Sequence, residues 1–279
     1  MSDLAPDPAA PAAPLRPDGE AAVGASAAAA VPPLDDAWVI FGASSGIARA
    51  FMRIAAAHGK PMVLAGRDVE DLALDGRDLV LRGSPAVRTV GFDAEAPQNF
   101  AALTAMLDAA LPQRFNVLLA FAVLPRPEDV ARDPDLGRRV MAVNAGASLA
   151  LLQHLAPLMQ ARGGGRLVVL GSVAGDRVRP GNPVYGASKM ALHGYVEAIA
   201  PGLARAGVAV TLVKPGPIDT PMTFGRRLPL KPASAHDCAA AMWRAAERGR
   251  RSIYFPAKLR LAMAIVRLLP PFLLQRLAR

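Results

Sequence analysis

The stretch Trp38-Val39-Ile40-Phe41-Gly42-Ala43-Ser44-Ser45-Gly46-Ile47-Ala48-Arg49-Ala50-Phe51-Met52 decides the fold class of this chain. Its first four residues are apolar and read as a buried strand. A turn with two glycines follows, and then a run reaching His58 that reads as a helix. Strand, glycine turn and helix in this order make a phosphate cradle. Gly42 permits the tight turn, Gly46 lets the backbone approach a pyrophosphate, and free N–H groups at the helix start meet its charge. Gly42, Ser44, Ser45, Gly46 and Ile47 are therefore candidate cofactor contacts. The spacing is Gly-x-x-x-Gly-x-Ala rather than Gly-x-Gly-x-x-Gly, and Ala48 is small enough for close helix–strand packing.

Outward from this unit, apolar runs alternate with helical patterns. Strands are expected at 38–41, 62–65, 87–92, 117–121, 166–170, 208–213 and 252–254, and helices at 47–57, 99–110, 136–161, 185–206 and 235–248. Such alternation predicts an α/β fold, a Rossmann-like doubly wound parallel sheet in a single domain, residues 37–256. Residues 1–36 are rich in Ala and Pro and lack a strong apolar run, so they are expected to be a disordered tail. Residues 257–279 form a basic amphipathic C-terminal extension.

A second motif carries chemistry. Tyr185 and Lys189, in Tyr185-Gly-Ala-Ser-Lys189, lie four apart on one helix face. A phenol ordinarily loses its proton near pH ~10, and an ammonium one turn away would lower that value toward a useful acid or base. Ser172 follows the apolar run Leu167-Val168-Val169-Leu170, at the end of an expected strand. Facing the Tyr/Lys pair, its hydroxyl could hold a substrate oxygen while the phenol exchanges a proton with it.

With these residues in their order, the chain resembles the short-chain dehydrogenases/reductases over roughly residues 37–256. The resemblance rests on Gly42-x-x-x-Gly46-x-Ala48, Asp93, Asn144, Gly171-Ser172, Tyr185-x-x-x-Lys189 and Pro215-Gly216-x-x-x-Thr220. It implies a catalytic tetrad of Asn144, Ser172, Tyr185 and Lys189, with Asn144 ordering a water in the proton relay. It implies adenine contact by Asp93, and contacts of Pro215, Gly216, Ile218 and Thr220 with the nicotinamide and diphosphate. The family's Asn-Asn-Ala-Gly after the fourth strand is absent; Ala120-Phe121-Ala122-Val123-Leu124 stands there, with Ala120 a candidate cofactor neighbour. This run and residues 168–179 are similar to reductases acting on decaprenylphosphoryl 2-keto-ribose, from which Pro125-Arg126-Pro127 departs.

Cofactor choice is read at the end of the second strand. An acid there would hold the ribose hydroxyls of NAD(H), but Ala65 occupies that position and Arg67 follows. A guanidinium suits a 2′-phosphate, so NADP(H) is expected over NAD(H). Stacking of Arg67 on adenine, which would accept either cofactor, is the alternative.

The formal net charge is +9. Residues 226–279 hold 12 Lys/Arg and two acids, a net of +10, which leaves −1 for the rest. Those basic groups alternate with leucines rather than stacking aromatics, so no nucleic-acid partner is expected. The extension is too short in its apolar run to span a bilayer and reads as an interfacial helix pair on an anionic membrane surface, with packing against a partner subunit as the alternative. One cysteine, Cys238, permits no intrachain disulfide, and no secretory leader pattern is visible. A cytoplasmic protein, peripheral on the inner membrane face, is expected. The resemblance implies a homodimer or homotetramer. The four histidines, 58, 154, 193 and 236, lack metal-ligand spacing and read as ordinary residues.

Two functions compete. The first is an NADPH-dependent reductase, acting on a lipid-linked keto-sugar, a small ketone or a 3-oxoacyl thioester. The second is a dinucleotide-binding regulator or scaffold on the same fold, favoured by the altered 120–123 segment and disfavoured by the intact tetrad.

Overall fold

The computed structural model describes residues 34–270 apart from 112 and 227–229. The expected N-terminal tail therefore lies almost wholly outside the described residues, as does the expected second helix of the C-terminal extension. Among the described residues, the chain forms a seven-stranded, all-parallel sheet. The strands are β1 Trp38–Phe41, β2 Met62–Gly66, β3 Val87–Gly91, β4 Asn116–Leu119, β5 Gly165–Leu170, β6 Val208–Pro215 and β7 Ser252–Phe255, in the order β3-β2-β1-β4-β5-β6-β7.

The alternation of side chains along β1 divides the core. Val39 and Phe41 point to one face, with Leu103 and Leu107 of α3 (Phe100–Ala110), Leu151 and Leu155 of α6 (Ser148–Ala161), and Leu192 and Val196 of α7 (Pro183–Arg205). Trp38 and Ile40 point to the other, with Phe51 and Met52 of α1 (Gly46–Ala57) and Met242 and Trp243 of α8 (Ala235–Glu247). Helices on both faces are what an all-parallel sheet requires, because its strands are buried on both sides.

Three elements depart from expectation. Helix α2 (Val69–Leu81) fills a segment where the sequence predicted none. Three aspartates and the interior Gly76 weaken its local propensity. Asp68 caps its start by accepting from the Asp71 N–H, and Gly76 packs closely on β3, where a Cβ would lie 3.3 Å from Val87 Cγ1. The short helix α4 (Pro127–Arg132) is likewise additional, started by Pro127. The single helix expected over 136–161 is instead α5 (Pro134–Met141), a wide π turn at Ala142–Ala147, and α6. Asn144 sits inside that turn, with its side chain committed to Val123 in the segment after β4 and to Ser188 of α7. The C-terminal extension begins with α9 (Leu259–Leu268).

The order reverses between β1 and β4, and there ligands of such sheets bind, at the carboxyl ends of the strands. Gly42, Arg67, Asp93, Ala120, Ser172 and Gly216 all follow the carboxyl ends of their strands on this one edge.

Candidate active site

Gly42 has φ +78°, and a Cβ there would meet the Phe121 nitrogen at 2.7 Å. Only glycine lets the backbone beyond β4 close over the turn. Ser45 precedes α1 without a side-chain cap bond, which leaves the α1 N-terminal amides facing the crevice. A Cβ at Gly46 would lie 3.0 Å from Thr220 Cγ2, so the loop after β6 folds down onto the glycine turn. Thr223 Oγ1 ties that loop by donating to the Ile218 carbonyl and accepting the Thr220 N–H at 3.2 Å. Ile218 itself is buried. On the far side, Ala65 is buried at the end of β2, and Arg67 stands exposed beside it. Asp68 is occupied as the α2 cap. Asp93 is exposed and accepts the Glu95 N–H at 2.9 Å, whereas Ala120 is buried against the core.

The chemistry lies at the ends of β5 and β6. Ser172 stands near enough to Tyr185 to lower the phenol's pKa, and Ser172 Oγ accepts the Ala174 N–H at 3.1 Å. Lys189, one turn along α7, is 2% exposed and donates to the Leu170 carbonyl at 3.1 Å. Burial lowers its pKa to about 8. Burial also raises the Tyr185 phenol, partly offset by Ser172. The lowering of Tyr185 by Lys189 that the sequence suggested is therefore not present in this arrangement. The ammonium is turned to the Leu170 carbonyl and is itself destabilised as a cation.

Asn144 is completely buried. Its Oδ1 accepts the Val123 N–H at 2.7 Å, and its Nδ2 donates to the Val123 carbonyl at 2.9 Å and to Ser188 Oγ at 3.2 Å. It thus clamps the backbone of the segment where the family's polar Asn-Asn-Ala-Gly is missing. Its side chain ties that segment to α7.

Sequence reasoning passed over a second layer. Behind Ser172 lie Asp176, His193, Lys214 and Tyr254. Lys214 Nζ is 2.8 Å from Asp176 Oδ1, and Tyr254 donates to Asp176 Oδ2 at 2.5 Å. His193, read from sequence as ordinary, is buried with Nε2 accepting the Ser172 N–H at 3.3 Å. The available signal was its spacing, because Tyr185, Lys189 and His193 recur every four residues on α7.

Helix α9 packs beside these groups. Leu259 and Met263 join Val173, and a Cβ at Gly216 would lie 2.6 Å from Leu259 Cδ1. Arg177 donates to the Leu269 carbonyl at 3.1 Å. Leu261, Ile265 and Leu268 face outward, 72%, 57% and 85% exposed. Among the described residues, no helix is long and apolar enough to cross a membrane.

Comparison with known proteins decides the family. The short chain dehydrogenase family model matches residues 36–229. The chain belongs to the short-chain dehydrogenases. It is an oxidoreductase, similar to an uncharacterized oxidoreductase of Mycobacterium tuberculosis with 36% identity over 241 residues, 86% of this chain and 96% of the relative. Among solved structures, this short-chain dehydrogenase is similar to a 3-oxoacyl (acyl-carrier-protein) reductase of Agrobacterium tumefaciens with NADP bound. That similarity has TM-score 0.71 and 21% identity, covering 80% of this chain and 93% of the other. A short chain dehydrogenase of Mycobacterium paratuberculosis bound to NAD is also similar, with TM-score 0.68 and 22% identity, covering 81% and 98%. One neighbour holds NADP and the other NAD, so the shared fold does not select between them.

The crevice of this short-chain dehydrogenase fits a dinucleotide. The α1 amides carry no serine cap, Gly42 and Gly46 leave the turn bare, and the three Lys189 donors have one acceptor, Leu170 O, among the described residues.

Proposed function

We propose that this short-chain dehydrogenase reduces a carbonyl compound with NADPH, and that Tyr185 delivers the proton to the carbonyl oxygen. The observation that carries this reading is the placing of the Tyr185 phenol near Ser172 and one helical turn from the buried Lys189. A nicotinamide dinucleotide bound in the crevice would supply hydride to the carbonyl carbon. Ser172 would hold the carbonyl oxygen, and the raised Tyr185 pKa keeps the phenol protonated at neutral pH as a donor must be. The spare donors of Lys189 suit the ribose hydroxyls, and acceptors there would favour its charged form. That cation would in turn bring the phenol down. Gly42, Ser44, Ser45, Gly46, Ile47 and Thr220 would line the diphosphate, Asp93 the adenine, Ala120 the crevice floor, and Pro215, Gly216 and Ile218 the nicotinamide side. Asn144 would act by holding the Val123 backbone. Arg67 makes no hydrogen bond or ion pair among the described residues, which supports its use for a 2′-phosphate.

The substrate class that we favour is a keto-sugar carried on a polyprenyl phosphate. Its support is the likeness of residues 120–124 and 168–179 to reductases of that kind, together with α9. This helix presents an apolar face flanked by Arg260 and Arg267 next to the site, as an anionic membrane surface would require. Small ketones and 3-oxoacyl thioesters are the competing substrates, and NADPH oxidation over a carbonyl panel separates them.

Tyr185→Phe tests the reading. The variant loses only a hydroxyl, so NADPH binding should survive while turnover falls by about 10²–10⁴-fold. Turnover close to wild type would defeat it.

A further inference from the structure

Ser172 begins a tight turn, Val173–Gly175, that ends at Asp176. One imidazole lies under both ends of this turn. Cβ atoms at Gly171 and Gly175 would fall 2.3 Å from His193 Nε2 and 2.7 Å from His193 Cε1. The ring therefore occupies the space that side chains at those two positions would fill. At the start of the turn, His193 Nε2 accepts the Ser172 N–H at 3.3 Å. At its end, His193 Nδ1 lies 3.3 Å from Asp176 Oδ1, within reach but out of line for a full hydrogen bond. Asp176 is anchored from elsewhere by Lys214 of β6 and Tyr254 of β7, and Lys214 also reaches Glu197 of α7 at 3.3 Å. The side chains of His193 and Asp176 are only 5% and 2% exposed.

We propose that His193 is a positioning residue, which, held by Asp176, fixes the turn that presents the Ser172 hydroxyl to Tyr185. The inference rests on the reading of Ser172 as the holder of the carbonyl oxygen. Because Nε2 must accept the Ser172 N–H, the ring works only as the neutral tautomer with its proton on Nδ1. A second proton would set two N–H groups against each other and push Ser172 away. The surroundings oppose that proton. Burial lowers the His193 pKa, and Lys214 and Lys189 add to the lowering, while Asp176 opposes it without prevailing. Burial pushes Asp176 up, but the nearby His193 ring and its bonds to Lys214 and Tyr254 hold it well below the usual carboxylate range. Tyr185, Lys189 and His193 thus lie on one face of α7, the first offered to the substrate, the second to the cofactor ribose, and the third holding the serine that completes their site.

The test uses full-length protein with 15N-labelled histidine rings, His193 being assigned by its loss in His193→Gln. The NMR spectrum at neutral pH should show a proton on His193 Nδ1 and none on Nε2, with protonation only below the ordinary histidine range. Reduction of 9,10-phenanthrenequinone by NADPH is then followed from about pH 5 to about pH 8. Gln offers Ser172 an acceptor without titrating, so His193→Gln should keep most of its neutral-pH turnover and lose the acid-side fall that wild type shows. His193→Leu, which fills the volume but offers no acceptor, should lose roughly ten- to a hundred-fold in kcat, the scale of a small misplacement of a reacting group. Its KM for NADPH should stay near that of wild type. An Nε2-protonated tautomer, a Leu variant with wild-type kcat, or an acid limb persisting in His193→Gln would each overturn the proposal. A wild type that reduces no carbonyl would defeat the reductase reading instead, and the tautomer would still decide this one.

Discussion

Lys189→Met separates what Lys189 costs the free protein from what it would do in the reaction. The ammonium is almost wholly buried, with one backbone carbonyl as its partner. A fall from 10.5 to about 8 makes the charged form roughly 3 kcal/mol less favourable in the folded than in the unfolded chain at neutral pH. Methionine fills similar volume and carries no charge. It also gives up the bond to Leu170 O, about 1.5–3 kcal/mol for a charged donor, so the net change at pH 7 is small. The decisive quantity is the pH dependence. Between about 8 and 10.5 the unfolded chain holds the lysine proton and the folded chain does not, so wild-type stability rises with pH through that window. Methionine has no such gain. Relative to the variant, wild type should therefore gain about 2 kcal/mol between about pH 7 and about pH 10. Urea unfolding followed by tryptophan fluorescence would measure it, since Trp38 and Trp243 are both buried and report loss of the core. A difference between the two proteins that stays constant with pH would refute the assignment of Lys189 as a strained buried cation. With that cation removed, turnover should be lost even where stability is kept.

Three further outcomes follow from the geometry. Arg67→Ala should weaken NADPH by roughly ten- to a hundred-fold, the worth of about 1.5–3 kcal/mol for a charged contact, and leave NADH nearly unchanged; equal weakening in fluorescence titrations would indicate adenine stacking instead. Asn144→Ala should cost about 2–4 kcal/mol in denaturant unfolding, because it leaves the Val123 N–H and carbonyl without their partner; a change below about 0.5 kcal/mol, the scale of an ordinary surface substitution, would show that the clamp is dispensable. Replacing Leu261, Ile265 and Leu268 together by Ser should abolish pelleting with phosphatidylglycerol vesicles, each side chain being worth up to about 1.5–3 kcal/mol when buried; unchanged pelleting together with an altered oligomeric state would assign α9 to a subunit interface.

The strand, glycine turn and helix at 38–57 and the run of parallel strands were legible in the residues alone. Periodicity and glycine placement are local properties, and a buried four-residue apolar run before a glycine turn has few other uses. The strand-end positions that the sequence singled out, from Gly42 to Gly216, lie along one sheet edge because parallel pairing sends every carboxyl end there. Helix α2 was not legible, since its aspartates and Gly76 argue against a helix until β3 is beside it. Nor was the wide turn around Asn144, which depends on a partner 21 residues away at Val123. Only the folded structure decided the charge balance. Spacing alone suggested that Lys189 would draw down the Tyr185 pKa, but burial of both groups and the turn of the ammonium toward Leu170 give the opposite shift in the free protein. His193 looked unremarkable in the chain for the same reason. Its meaning comes from Gly171, Asp176 and Lys214, which lie on a loop and a strand that tertiary packing alone brings to the ring.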